Sequence, residues 1–157
     1  MKSIFIVTLL FVTTVSLSQT SEETQQITSP FVLEHVSLSV KDVNKSAAFY
    51  NTVFGISEIV NRGEKAGIRW FSLGQGRELH LISTVSGTVK LNKALHFAVT
   101  AMDFDGFVSR LQKSNVPYTD WNGTAQTISL RPDGVKQVYV QDPDGNWIEI
   151  NSPMPKD

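Results

Sequence analysis

The 157-residue sequence contains no cysteine, and this absence excludes a whole group of chemistries. Disulfides, thiolate metal ligands, cysteine nucleophiles and a lipid-modified cysteine behind a signal sequence are all ruled out. The chain also has no excess of positive or negative charge, since it contains 14 Lys and Arg and 15 Asp and Glu, for a net charge of −1. A chain so close to neutral gives no indication of a nucleic-acid partner or of an acidic membrane surface.

Long hydrophobic runs are missing except at the N-terminus. Residues 4–17 are apolar apart from threonines and a serine, with Lys2 before them and small residues around Ser18 after them. The run is short for a bilayer crossing and is typical of a secretory signal peptide. We therefore predict a signal peptide over residues 1–18 and a periplasmic or secreted mature protein without a membrane partner. The alternative is an uncleaved anchor helix.

The remaining chain divides into a leader, one domain and a short tail. Residues 19–30 are polar and predict a disordered leader. Residues 31–152 are predicted to form the domain, and residues 153–157 a tail. A hydrophobic content of 41% with 18% charged residues is typical of a globular protein with a real core.

The domain shows one pattern twice. In residues 31–86, an alternating apolar strand precedes a helix that Asp42 can cap, and three further strands follow. Residues 92–152 repeat this order, with Asp103 as the capping residue. The predicted fold class is therefore α+β, with two βαβββ repeats that form a cupped mixed sheet. One face of each half-sheet is expected to pack on its helix, and the other to line the cup.

Matching positions in the two repeats carry residues that can ligate a metal. His35 and His96 stand 61 positions apart on the first strand of each repeat. His80 and Glu149 stand 69 apart on the last strand, and eight extra residues fit a longer loop in the second repeat. These four include all three histidines of the chain. An isolated histidine on a strand is usually a hydrogen-bonded core or surface residue. Three histidines and one glutamate at matching positions of a repeat predict a metal site instead.

Imidazole and carboxylate ligands suit several divalent ions, namely Zn, Ni, Co, Fe or Mn. His80 and Glu149 each lie between two aliphatic residues of the opposite face. Glu149 is also the candidate for proton transfer, with the role of a plain ligand as an equal alternative. Trp147 and Asn151 share its face and are predicted to bind substrate. Four other aromatic residues are assigned to the core: Tyr50, Trp70, Trp121 and Tyr139.

The two repeats contain five short motifs: LEHVSLSV at 33–40, SAAFY at 46–50, ELHL at 78–81, LHFAV at 95–99 and DPDGNWIE at 142–149. Together they resemble the vicinal-oxygen-chelate superfamily, which includes glyoxalase I, methylmalonyl-CoA epimerase, fosfomycin-resistance enzymes and extradiol dioxygenases. The resemblance covers residues 31–152. It places the family's metal positions on His35, His80, His96 and Glu149. His80 departs from the pattern, because glyoxalase-like and epimerase-like relatives usually have Glu or Gln there.

The resemblance implies a glyoxalase-like lyase or isomerase, in which a divalent metal binds vicinal oxygens of a small substrate, and the predicted signal peptide implies that this enzyme is exported. Members often dimerise and some exchange halves, so a homodimer is expected. The alternatives are an Fe(II) extradiol-dioxygenase-like enzyme, a fosfomycin-resistance-like transferase, and a metal-free binding or resistance protein. His80 separates the enzyme classes. As a fourth ligand it leaves about two open metal positions, whereas three ligands leave room for oxygen.

Overall fold

In the computed structural model, each repeat forms one sheet against which its helix packs. The structure describes residues 30–87 and 89–155. The predicted signal peptide, nearly all of the predicted leader and the end of the tail lie outside the described residues. Within these ranges, the residues from 33 onward belong to one structural unit. No helix within the described ranges combines the length and the apolar composition that a bilayer crossing needs.

The first repeat contains these elements: β1 (His35–Ser39), α1 (Val43–Phe49), a π-helical segment (Tyr50–Phe54), β2 (Glu58–Ile59), β3 (Ile68–Gly74) and β4 (Arg77–Ile82). Its strands lie in the order β1-β4-β3-β2. β1 runs parallel to β4, and the other pairs are antiparallel. The helix between β1 and the other strands is what allows this parallel pairing.

The second repeat contains β5 (His96–Thr100), α2 (Phe104–Lys113), β6 (Tyr118–Thr119), β7 (Ser129–Leu130), β8 (Lys136–Gln141) and β9 (Trp147–Asn151). Its strand order β5-β9-β8-β6 repeats that of the first sheet, with β5 parallel to β9, and β7 pairs with β8 beside it. The predicted α+β class with two βαβββ repeats is confirmed, and the short β7 is an additional strand in the second repeat. The extra residues of this half lie between β6 and β8.

Both helices begin at the capping residues predicted from the sequence. The Asp42 side chain accepts hydrogen bonds from the backbone N–H groups of Asn44 and Lys45, at 2.9 and 3.1 Å. Asp103 caps α2 in the same way, through the N–H of Gly106. Such caps satisfy N–H groups that have no partner within the helix.

The first helix ends differently from the sequence prediction. The apolar pattern predicts a helix over residues 46–54, whereas the α-helix covers Val43–Phe49 and widens into a π-helix from Tyr50 to Phe54. It stops at Gly55 (φ +67°), as glycine tolerates this conformation. Five residues are too few for an apolar pattern to distinguish 3.6 from 4.4 residues per turn, so the sequence did not indicate the change.

The apolar faces of both sheets and both helices meet in one core. Its most buried members are Tyr50, Phe71, Leu79, Leu81, Leu111, Val138, Val140, Ile148 and Ile150. The rings of Phe54 and Phe107 lie 5.5 Å apart and join the helical regions of the two halves. Because side chains alternate along a strand, burial of Leu79, Leu81, Ile148 and Ile150 turns the residues between them to the opposite face.

Candidate active site

Strand register places the ligand-type residues in two equivalent pairs. In the first sheet, His80 lies opposite the residue two positions after His35. In the second sheet, Glu149 lies opposite the residue two positions after His96. The offset is the same because both pairs stand on parallel neighbouring strands of equivalent repeats. The correspondence inferred from sequence spacing therefore extends to backbone register.

The first pair is part of a stack of rings. The rings of His35 and His80 are nearly parallel, with centroids 4.3 Å apart. Trp70, directly opposite His80 on β3, covers the other face of that ring at 4.2 Å. The guanidinium of Arg62 lies 5.0 Å from the Trp70 ring, a cation–π contact. The stack restricts both imidazoles to one ring orientation.

Glu78 determines which His80 nitrogen is occupied. His80 Nε2 lies 2.9 Å from Glu78 Oε2, and Arg62 Nη2 lies 2.6 Å from Glu78 Oε1. Hydrogen bonds from His80 and Arg62 lower the pKa of Glu78. Since an ionised carboxylate only accepts, His80 Nε2 is the donor, and the lone pair of the neutral ring is on Nδ1.

The second pair is centred on Glu149, which is 7% exposed on β9. Tyr139 donates its hydroxyl to Glu149 Oε2 at 2.6 Å, and Asn151 donates its amide to Oε1 at 2.7 Å. Burial alone raises the pKa of Glu149. Hydrogen bonds from Tyr139, Asn151 and Gln137 outweigh that effect, with a smaller contribution from His96, and lower the pKa below its ordinary value. Glu149 is therefore a carboxylate at neutral pH.

His96 faces Glu149 with a defined nitrogen. Its Nδ1 lies 2.7 Å from the carbonyl oxygen of Lys93, and its Nε2 lies 3.1 Å from Glu149 Oε2. A carbonyl oxygen only accepts, so Nδ1 carries a proton. In the neutral ring, Nε2 then carries the lone pair and lies beside a carboxylate oxygen, an arrangement that a cation, either a proton or a metal, would stabilise. Histidine ligands of metals commonly donate their other N–H to such a carbonyl.

Aromatic side chains surround the second pair. The Tyr139 and Trp121 rings lie 5.6 and 6.2 Å from the His96 ring. His96 and Trp147 also line a cavity of about 390 Å³, and its opposite wall includes residues 36–39 of β1. A cavity of this size accepts a small organic molecule.

The four predicted ligands do not form one cluster within a single chain. Across residues 30–87 and 89–155, no three His, Asp or Glu side chains converge closely enough to hold an ion. His35 pairs with His80, and His96 with Glu149. The residue types and the His96–Glu149 contact fit a metal, but a four-ligand centre remains a prediction.

The two predicted substrate-binding residues lie on the face of Glu149. Trp147 is half-buried beneath the ammonium group of Lys93, which is 4.5 Å from its ring. Asn151 supports the carboxylate through its amide N–H, while its Oδ1 is buried without a hydrogen-bond partner in the described structure. A buried acceptor without a partner is uncommon in folded proteins.

Sequence reasoning missed several members of the site. It assigned Tyr139, Trp121 and Trp70 to the core. Tyr139 is indeed buried, but its hydroxyl bonds to Glu149, whereas Trp121 is 50% exposed and Trp70 covers His80. Tyr139 lies directly opposite Glu149 in the β8–β9 hairpin, so counting back from the turn would have found it. No local pattern pointed to Lys93.

Comparison with known proteins agrees with the fold and the motifs. The family model for the Glyoxalase/Bleomycin resistance protein/Dioxygenase superfamily matches residues 32–150. The chain belongs to this superfamily, which confirms the resemblance seen in its motifs.

Individual relatives are distant. The Bacillus subtilis (strain 168) protein YwbC, described as uncharacterized, is 27% identical over 124 residues, covering 75% of this chain and 94% of YwbC. A lactoylglutathione lyase from Agrobacterium tumefaciens has a similar structure, with a TM-score of 0.62 and 21% identity over 80% of this chain and 96% of that one. A glyoxalase/dioxygenase from Nostoc punctiforme gives 0.63 and 22%, over 83% and 97%. At these identities the two structures show the fold alone.

Proposed function

We propose that this protein is a metal-dependent enzyme, a glyoxalase-like lyase or isomerase that acts on a small molecule with two neighbouring oxygens. One observation carries the proposal: His96 Nε2 and Glu149 Oε2 lie 3.1 Å apart, while Nδ1 of the same ring is occupied by a carbonyl. Two acceptors so placed form part of a cation site. Family membership supports the enzymatic role.

A divalent ion such as Zn, Ni, Co, Fe or Mn would supply Lewis-acid activation of the substrate oxygens and of the adjacent C–H or O–H. The residues of the chain have separate tasks. His96 and Glu149 would hold the ion, and Tyr139 and Asn151 fix the carboxylate by one hydrogen bond on each oxygen. Trp147 and His96 border the open cavity in which a small substrate would lie.

Glu149 is proposed first as a ligand and second as the proton acceptor. Its lowered pKa makes it a weak base, so it suits a substrate proton that has already been made acidic. To accept that proton, an oxygen of Glu149 must exchange one of its present partners. The Tyr139 hydroxyl remains available to stabilise the carboxylate during this exchange.

We further propose a homodimer that unites the two pairs. The four predicted ligands stay in two pairs within one chain, so a four-ligand centre needs a second copy. His35 and His80 of one chain would face His96 of the partner subunit and Glu149 of the partner subunit. The exposure of His35, whose side chain is 40% accessible, is consistent with a surface that another molecule covers.

Metal analysis of purified protein tests the metal. We expect one divalent ion per chain in the wild type and loss of most of it in His96→Ala and in Glu149→Gln. Absence of metal from wild-type protein supplied with each of the five ions would contradict the proposal. It would then favour the metal-free binding protein.

Mixed dimers test the shared site. A heterodimer of a His35→Ala chain and a His96→Ala chain, isolated with two affinity tags, contains one intact site if each site draws on both chains. We expect half of the wild-type metal content and activity in this heterodimer, and almost none in either variant homodimer. A heterodimer no better than the homodimers would place each site within one chain.

A second enzyme class follows if the His80 ring keeps its place between His35 and Trp70, with Nε2 bonded to Glu78. Only Nδ1 of His80 could then bind an ion, and without that bond the ligands are His35, His96 and Glu149. Two histidines and one carboxylate suit Fe(II) with oxygen, or the transferase alternative. The His80→Ala variant separates the classes. A fall in metal affinity of tenfold or more supports four ligands, whereas unchanged affinity supports three.

A further inference from the structure

The ammonium group of Lys93 is held by three oxygen atoms of one loop. Nζ donates to the Asp120 carbonyl at 2.7 Å, to Thr119 Oγ1 at 3.0 Å and to the Trp121 carbonyl at 3.1 Å. An ammonium group has three N–H donors, so all are used. Lys93 therefore has no free donor for a substrate.

Two aromatic rings complete this environment. Nζ lies 4.5 Å from the centroid of the Trp147 ring and 5.2 Å from that of Tyr139. Both rings belong to the candidate active site, and cation–π contacts of this kind favour the charged lysine. Burial lowers the pKa of Lys93, and the charge of Asp120 opposes that shift.

The backbone of the same residue contacts the active site. The Lys93 carbonyl accepts the Nδ1 proton of His96 at 2.7 Å, the shortest contact of that ring. The carbonyl belongs to a turn in which Leu95 N–H bonds to the Asn92 carbonyl and Ala94 N–H bonds to the Asn92 side chain. Lys93 is thus attached to the 119–121 loop by its side chain and to His96 by its main chain.

We infer that Lys93 is a positioning residue for His96. The three hydrogen bonds and two ring contacts of its ammonium group fix its carbonyl, which keeps the imidazole proton on Nδ1 and leaves Nε2 toward Glu149. Lys93 thereby selects the form of His96 that can bind a metal. The relevance of this selection to catalysis rests on the function proposed above, whereas the selection itself does not.

Two tautomers of the neutral His96 ring compete, and this competition explains why the ring needs a positioning residue. A neutral imidazole can carry its proton on either nitrogen, and a proton on Nε2 would be attracted to the Glu149 carboxylate, whose Oε2 lies 3.1 Å away. Attraction of an N–H group to a charged acceptor is stronger than attraction to a neutral carbonyl. Without a well-placed Lys93 carbonyl, the Nε2–H form therefore gains population, and its nitrogen no longer offers a lone pair to a metal.

Nuclear magnetic resonance of the imidazole nitrogens tests the inference directly. In chelator-treated wild-type protein, at a pH where the His96 ring is neutral, we expect the Nδ1–H form. In Lys93→Met, which keeps the apolar stem, we expect the Nε2–H form to appear and metal affinity to fall by about tenfold or more. Lys93→Arg should restore most of the wild-type pattern. Lys90→Met, at an exposed lysine of the same connecting segment, is the matched control and should leave His96 unchanged.

A wild-type tautomer in folded Lys93→Met would overturn the inference. Should that variant fail to fold, Thr119→Val decides the question, because it removes one acceptor and keeps the lysine. A smaller shift in the same direction supports the inference, and no shift rejects it. If the tautomer responds but wild-type protein binds no metal, the positioning role stands and the proposed enzyme function fails.

Discussion

The hydroxyl of Tyr50 donates a hydrogen bond to Asp142 Oδ2 over 3.1 Å, although 92 positions separate the two residues in the chain. Both side chains are buried. Asp142 also accepts from the backbone N–H groups of Asp144 and Asn146 and from the Asn146 amide, so it organises the β8–β9 turn. The bond therefore links the helical region of the first repeat to the hairpin that carries Glu149.

Tyr50→Phe should lower the free energy of unfolding by about 1.5–3 kcal/mol, as expected for a hydrogen bond to a charged group. The loss leaves a buried carboxylate with one donor fewer. Urea denaturation at pH 7 measures it. Tyr118→Phe is a suitable comparison, because the Tyr118 hydroxyl bonds to the neutral Gln112 amide and should cost about 0.5–1.5 kcal/mol. Equal losses in the two variants would contradict the role given to Asp142.

Glu149 should make stability depend on pH in one direction. Its pKa is below the ordinary value of 4.5 in the folded protein, so its ionisation stabilises the fold above that pH. This contribution is lost as pH falls from about 4.5 through the lower folded-state pKa. Relative to Glu149→Gln, wild-type protein should therefore lose stability between neutral and acid pH.

Chelator-treated samples and urea midpoints at several pH values measure this difference. Glu64→Gln, at an exposed loop glutamate, serves as the matched control. A wild-type minus Glu149→Gln difference that stays constant from pH 7 to pH 3 would show that burial cancels the hydrogen bonds.

Metal removal should destabilise the wild-type protein. A ligand present at 100 times its dissociation constant stabilises the native state by about 2.7 kcal/mol. Thermal unfolding with and without a chelator should therefore differ by several degrees. His96→Ala should show no such difference. A chelator effect of equal size in both proteins would mean that the ion binds elsewhere.

The N-terminal prediction concerns processing. Secretion should remove about the first 18 residues, because the apolar run ends in small residues at a suitable cleavage position. Intact-mass measurement or N-terminal sequencing of protein from the culture medium or periplasm checks this. A mature chain that begins at Met1 would leave the anchor-helix alternative.

The sequence placed His35, His80, His96 and Glu149 at equivalent positions of the two repeats, but it did not divide them into pairs. Alternation along strands and the repeat spacing are local properties, whereas the pairs arise from the parallel pairing of β1 with β4 and of β5 with β9. Whether four side chains converge depends on packing between halves or between chains. Periodicity carries no information on that packing.

The contacts around Lys93 show the same limit. Its ammonium group reaches a loop 26–28 positions away, and its carbonyl reaches a ring three positions away. Neither contact can be predicted from the local sequence, because a lysine in a polar loop is usually a solvated surface charge. Residues that act by fixing a backbone atom need coordinates to be found.

The equal offset of the two side-chain pairs has a stereochemical consequence. An equivalent backbone register gives both halves the same frame, but one half presents two imidazoles and the other an imidazole with a carboxylate. A molecule bound between such surfaces would meet a carboxylate at the His80/Glu149 position on one side only. The single difference between His80 and Glu149 thus makes a pseudo-symmetric frame directional, so that the two ends of a bound molecule would meet unlike side chains.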